Sequence, residues 1–175
     1  MRSPEIPATQ VNFLQLVATE TAVASTRVVL VGQQDVFGKK TTSKPDKSVL
    51  TIYDELSEAA AKEAWASHTN DPILGEETSV SGVLEGARIL GMNDPIDGSR
   101  PFVNGAHSST VMAGAYDLLE KRFVAASLVH PVSGTLVEAS NGVTRVSQTK
   151  GIRTHYLTPA AVKFGMARWP AVRCW

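Results

Sequence analysis

At 175 residues the chain has the length of one domain, taking about 150 residues per domain, and can bury a core without a disulfide or metal to help it fold. Hydrophobic residues make up 43 % and charged residues 19 %, which excludes a mainly disordered chain. Seventeen Lys+Arg balance seventeen Asp+Glu, which excludes a strongly basic domain that grips a nucleic-acid polymer.

The start, Met1-Arg2-Ser3-Pro4-Glu5, lacks the basic and apolar regions of a secretory signal, and no apolar run is read as approaching the ~20 residues of a membrane span. With Cys174 as the one cysteine, no disulfide framework or thiolate zinc site forms, and a soluble, cytoplasmic protein is expected. From Gln10 to Leu30, Phe13, Leu14, Leu16, Val17, Ala22, Val23 and Val28 recur at helical spacing, with Thr9 as N-cap. The β-branched end, Arg27 to Val31, reads equally as a strand. Residues 33–48, with Lys39, Lys40, Lys44 and Lys47, read as an exposed loop. A second helix is predicted over Ile52 to Ser67, with Leu56, Ala60 and Ala64 on one face and Thr51 and Asp54 spaced as a capping pair. Glu76 to Gly91 is turn-rich and includes a short strand candidate at Ala87 to Leu90. Strands follow at Ser109 to Tyr116 and Arg122 to His130. Two more, Thr135 to Ala139 and Val143 to Val146, flank the hairpin signal Asn141-Gly142. Ile152 to Trp175 has no clear periodicity. Helices followed by a meander imply an α+β layer pair.

The chemistry concentrates in Asp94-Pro95-Ile96-Asp97-Gly98-Ser99, two carboxylates around a proline. Asp-Pro and Asp-Gly are also ordinary turn punctuation. What lifts this turn above punctuation is a strand candidate before it, a helix start at Gly98-Ser99 and a second acidic pair, Glu76-Glu77, upstream. Hard cations such as Mg²⁺ take a few carboxylates plus substrate phosphate, and a helix start offers N–H groups to that phosphate. Other motifs fall away. Val31 to Thr41 imitates a P-loop, but five residues rather than four separate Gly32 from Gly38. His107-Ser108-Ser109 has no nucleophile elbow. Trp65 reads as core, and Cys174 as an inert thiol.

Leu50-Thr51-Ile52-Tyr53-Asp54, Gly75-Glu76-Glu77 and Asp94-Pro95-Ile96-Asp97-Gly98-Ser99, in that order, resemble the inositol monophosphatase family of metal-dependent, lithium-sensitive phosphatases. The likeness covers about residues 10 to 150. It implies two N-terminal helices packed on an antiparallel sheet, as in the N-terminal half of a layered αβαβα sugar-phosphatase fold. Carried over residue by residue, it implies that Glu76, Asp94 and the Ile96 carbonyl hold a first Mg²⁺ and that Asp94 and Asp97 bridge to a second. Gly98 and Ser99 would present N–H groups to the substrate phosphate. Ser99, where the family has threonine, would pair with Asp54 to orient the attacking water. Asp54, Ser99 and Glu76 would thus be catalytic, with Glu77 supporting the metal shell. The implied partner is a small phosphorylated metabolite: inositol phosphate, histidinol phosphate or 3′-phosphoadenosine 5′-phosphate, with Arg100 leaning away from inositol. No membrane or nucleic-acid partner is expected, and a homodimer is.

The departures are equally specific. The family's Trp-Asp-x-x-Ala/Gly motif, whose aspartate completes the second metal site, does not occur. Residues 1–150 are expected to form the family-like domain. Residues 151–175 are expected to be an atypical tail, of the kind a truncated or out-of-frame reading produces. The alternative function is therefore an impaired relative that acts as a metal-binding or interaction module.

Overall fold

The computed structural model describes residues 5–35, 41–43 and 49–148. Lys39, Lys40, Lys44 and Lys47 of the expected loop, and the expected tail from 151 onward, lie outside the described residues.

Helix α1 (Ala8–Gln34) is longer at both ends than its apolar spacing predicts, and Pro7, not Thr9, is its N-cap. Its β-branched end is helix rather than strand. Val29 is fully buried in a cluster with Val111 and Val129, and that burial outweighs a helix-propensity cost of a few tenths of a kcal/mol per residue. By length and composition α1 also meets the measure of a membrane-crossing helix, contrary to the sequence expectation, and more than half of its most apolar stretch is buried inside the molecule.

Strands β1 (Thr41–Ser43) and β2 (Val49–Thr51) form a small antiparallel ribbon, so part of the expected loop is strand. Thr51 then caps α2 (Ile52–Ala66) with the capping box that its spacing to Asp54 predicts. The face that α2 buries is not the expected Leu56, Ala60 and Ala64. It is Asp54, Ser57, Glu58, Ala61 and Trp65, while Leu56 is exposed. These positions follow the i, i+3, i+4, i+7 spacing of one helix face, but the half nearest the N-terminus is polar.

The main sheet runs in the order β3 (Ile73–Gly75), β4 (Ile89–Asp97), β5 (Thr110–Asp117), β6 (Arg122–His130), β7 (Thr135–Ser140) and β8 (Val143–Gln148). All neighbours are antiparallel except β3 and β4, which are parallel. A five-residue helix, α3 (Ser99–Val103), follows β4. Both long helices lie on one face of the sheet. Leu14 and Val17 of α1 meet Trp65 of α2 and Ile89, Ala115 and Ala125 of the strands. Ala22 and Val29 meet Ile96, Val111, Val129 and Leu136. The opposite face carries the cross-strand row Asp94, Met112, Leu128, Val137 and Val146, which the register places side by side. Among the described residues no helix lies over that row, and Val146 is 69 % exposed.

Candidate functional site

Helix α2 supplies the first half of the site. Asp54, at its third position, is fully buried. Its Oδ2 accepts from the Thr51 amide at 2.7 Å and the Thr51 hydroxyl at 2.6 Å, while Oδ1 accepts from the Ser99 hydroxyl at 3.0 Å. The capping box that starts the helix therefore also orients Asp54 toward Ser99. One turn on, the Ser57 hydroxyl meets Ser25 of α1 at 2.6 Å and lies 3.5 Å from the Pro95 carbonyl. Glu58 beside it accepts from the Glu77 amide at 2.7 Å.

The end of β4 supplies the second half. A register irregularity between Asp94 and Asp97 breaks the ladder with β5 and frees the turn from regular alternation. Ile96 is buried in the core, which fixes the turn, and its carbonyl accepts from Ser99 Oγ at 3.0 Å. Asp97 is exposed and accepts from the Thr110 hydroxyl at 3.1 Å. Gly98 sits at φ 90°, ψ 48°, a left-handed conformation that glycine adopts without strain, and it turns the chain into α3. Phe102, buried in that helix, donates its amide to the Gly98 carbonyl at 3.1 Å.

Glu76 reaches the site through parallel pairing. Gly75 lies opposite Asn93, and the Glu76 amide continues the ladder by donating to the Asn93 carbonyl at 3.1 Å. Side chains alternate along a strand, so with Gly75 facing α2, Glu76 falls on the face that carries Asp94. Glu76 and Asp94 come within hydrogen-bonding reach. Burial first, then Glu76 and the Asp97 charge, push the Asp94 carboxyl from its ordinary 3.8 up to about 7, against a smaller opposing bond from the Ile96 backbone. Asp94 Oδ1 is buried and has no hydrogen-bond partner.

Asp54, Ser99, Glu76, Glu77, Asp94, Ile96, Asp97 and Gly98 thus gather around the junction of β3, β4 and α3. The expected convergence of Glu76, Asp94 and Asp97 is only partial. Among the described residues no three acidic, His or Cys side chains form a ready ligand cluster, and Asp97 bonds Thr110 instead. The donor set still fits a hard cation: all oxygen, anionic, with one buried carboxylate oxygen unpartnered, and Mg²⁺ commonly takes only one or two carboxylates with waters completing its shell. Ser57, Glu58 and Thr110 escaped the sequence reading. Ser57 and Glu58 follow Asp54 at i+3 and i+4, which was the available signal for one shared face. His107 bonds Gln33 at 3.3 Å on the surface, and Trp65 is buried core, as expected.

The comparisons with known proteins agree with this fold. The model of the inositol monophosphatase family matches residues 11–167. The fold is similar to SuhB, an extragenic suppressor protein of Bartonella henselae, with TM-score 0.68 and 17 % identity over 80 % of this chain and 52 % of that one. It is similar to CysQ of Bacteroides thetaiotaomicron, a bacterial member of the inositol monophosphatase family, with TM-score 0.62 and 24 % identity over 81 % and 51 %. It is also similar to staphylococcal inositol monophosphatase-1 in a lithium chloride-soaked inhibitory complex, with TM-score 0.57 and 18 % identity over 68 % and 46 %. The chain thus spans about half the length of these structures. No curated protein matches it. With three ordered acidic motifs brought to one end of one sheet and a family match over most of its length, the chain belongs to the inositol monophosphatase family.

Proposed function

We propose that this chain carries the metal-holding and water-orienting residues of a Mg²⁺-dependent phosphomonoesterase that acts on a small polyol or sugar-type phosphate. The observation that carries the reading is the buried, unpartnered Asp94 Oδ1 beside Glu76 and Asp97, on the strand whose end leads into the Ser99–Asp54 pair. Glu76, Asp94 and the Ile96 carbonyl would hold one Mg²⁺, and Asp97 with Asp94 a second. Bound there, the cation supplies charge neutralisation for the phosphoryl group and lowers the pKa of water.

The remaining chemistry belongs to the protein. Asp54, held by two Thr51 donors, accepts from Ser99 and fixes that hydroxyl. The lone pairs of Ser99 Oγ are left to accept from a water poised to attack phosphorus. Attack forms one P–O bond, breaks the ester P–O bond on the far side, and leaves the alcohol to take up a proton. The amides of Gly98 and Ser99, where the chain turns into α3, would meet the phosphate oxygens. Phosphoryl transfer asks for this positioning more than for covalent chemistry.

A second reading is a cation-binding module without turnover, favoured by Asp97, which is exposed and bonded to Thr110 rather than gathered with Glu76 and Asp94 into a ligand cluster. Phosphate release from inositol monophosphate, measured with Mg²⁺ and with EDTA beside Mg²⁺ calorimetry, separates the readings. Binding with Mg²⁺-dependent release supports the enzyme, and binding without release supports the module. No binding overturns both.

A further inference from the structure

We propose that Glu58 is the positioning residue that fixes Glu76 opposite Asp94, clamping the β3 turn from the helix side of the sheet; the inference rests on the cation reading above. Glu58 is 1 % exposed, and carboxylates are almost never fully buried unless paired. Its bonds go mainly to the residues that follow Glu76. Oε2 accepts from the Glu77 amide at 2.7 Å, and Oε1 accepts from the Thr78 hydroxyl. Lys62, one turn along α2, stands 3.0 Å from Oε1 and also donates to Thr78 and, at 2.8 Å, to the Ser79 carbonyl.

A carboxylate needed only to stabilise α2 would require Lys62 alone, one turn along the helix. Here the Glu58 carboxylate occupies the space that a side chain on Gly75 would take. A Cβ on Gly75 would lie 1.9 Å from the Glu58 carboxyl carbon and 2.2 and 2.3 Å from its oxygens, so a side chain at position 75 would displace the Glu58 carboxylate from this place. Glu58 thus sits beneath the residue before Glu76 and binds the two after it. On the other side the Glu76 amide is tied to the Asn93 carbonyl. With its backbone held on both sides, Glu76 keeps its place beside Asp94 even though two carboxylates repel. The clamp acts through the backbone and from the opposite face of the sheet, so Glu58 itself never meets a cation there.

The test uses the full chain and two variants, Glu58→Gln and Lys62→Met. It combines Mg²⁺ calorimetry, thermal melting without Mg²⁺, and residue-resolved amide exchange. For Glu58→Gln we expect Mg²⁺ to bind at least tenfold more weakly and the Glu77 amide to exchange at least tenfold faster, with β5 and β6 amides unchanged. Lys62→Met gives smaller changes in the same direction and carries the test if Glu58→Gln does not fold. A folded Glu58→Gln with parental Mg²⁺ affinity overturns the role, as does unchanged Glu77 exchange. A lower melting temperature with parental affinity marks a structural carboxylate and overturns it too. If the parent chain binds no Mg²⁺, the cation reading fails by itself, and Glu77 exchange decides whether the clamp exists.

Discussion

Ser99 carries one hydroxyl proton and faces two acceptors, Asp54 Oδ1 and the Ile96 carbonyl, each at 3.0 Å. The proton is shared or exchanged between them, so the oxygen is held from two directions while its lone pairs stay available. Ser99→Ala removes that oxygen and leaves the carboxylates in place. In the Mg²⁺-dependent phosphate-release assay, kcat should fall by roughly 10²-fold with KM little changed, as for loss of a group that works in the proton-transfer step; an unaltered kcat would remove Ser99 from the mechanism. Asp94 invites a stability test. Its folded value of about 7 lies above the ordinary 3.8, so its contribution to the metal-free fold is full in acid and is lost as pH rises through about 7. Asp94→Asn carries no such charge. Above neutral pH and without Mg²⁺ it should melt roughly 2–4 °C higher than the parent, the size of about 1 kcal/mol. In mild acid the two should melt together, and the Asn variant should lose any upward shift with Mg²⁺. A lower melting point for Asp94→Asn at alkaline pH would show that the acidic cluster is not in electrostatic conflict.

At the scale of elements, the turn between β5 and β6 is locked by a buried ion. Asp117 is wholly buried. Its Oδ2 accepts from Arg88 at 3.0 and 3.2 Å, and its Oδ1 from the Leu119 and Glu120 amides at 2.9 and 3.2 Å. Burial alone would raise its carboxyl, but Arg88 and the two amides outweigh that and hold it below the usual range. Arg88→Met should cost about 1–3 kcal/mol at neutral pH, the cost of leaving a buried acceptor short of partners. A depressed carboxyl gives its stability above its unfolded value and loses it as pH falls, so urea melts of parent and variant should draw together in acid. A gap constant with pH would assign the loss to packing. The elements also show what could be read from the chain. The hairpin at Asn141-Gly142 was legible because both residues take positive φ, 51° and 74°, which their side chains permit. The Thr51–Asp54 cap was legible from spacing. The parallel strand β3 was not, because three residues carry too little periodicity. Nor was the polar face of α2, since Ser57 and Glu58 on a helix read as solvated until the β3 turn is placed against them.

At the scale of the molecule, the two faces of the sheet are unequal. Among the described residues, one is closed by α1 and α2, and the other presents Met112, Leu128, Val137 and the 69 % exposed Val146 in one row that ends at Asp94. An apolar row of this kind beside the edge strand β8 favours association. The chain should therefore sediment as a dimer or larger species, and Val146→Glu should shift it toward monomer while changing stability by no more than about 0.5 kcal/mol. A parent chain that sediments as a monomer would refute this. The general outline, helices against a meander with the acids at one end, was available from the order of motifs. Which face remained open was not, because it depends on the register of four strands. At the other edge of the sheet lies β3, three residues long, paired to β4 on one side and bridged on the other only by Ile73 to Ser81. Short edge segments are the first to open in native-state fluctuations. Glu76 follows directly on such a segment, whereas Asp94, Ile96 and Asp97 ride on β4 in the sheet interior. Once the hold of Glu58 on Glu77 and Thr78 is lost, detachment of β3 is enough to carry Glu76 away from Asp94 while every other strand stays folded, so loss of Mg²⁺ binding on warming should precede loss of structure.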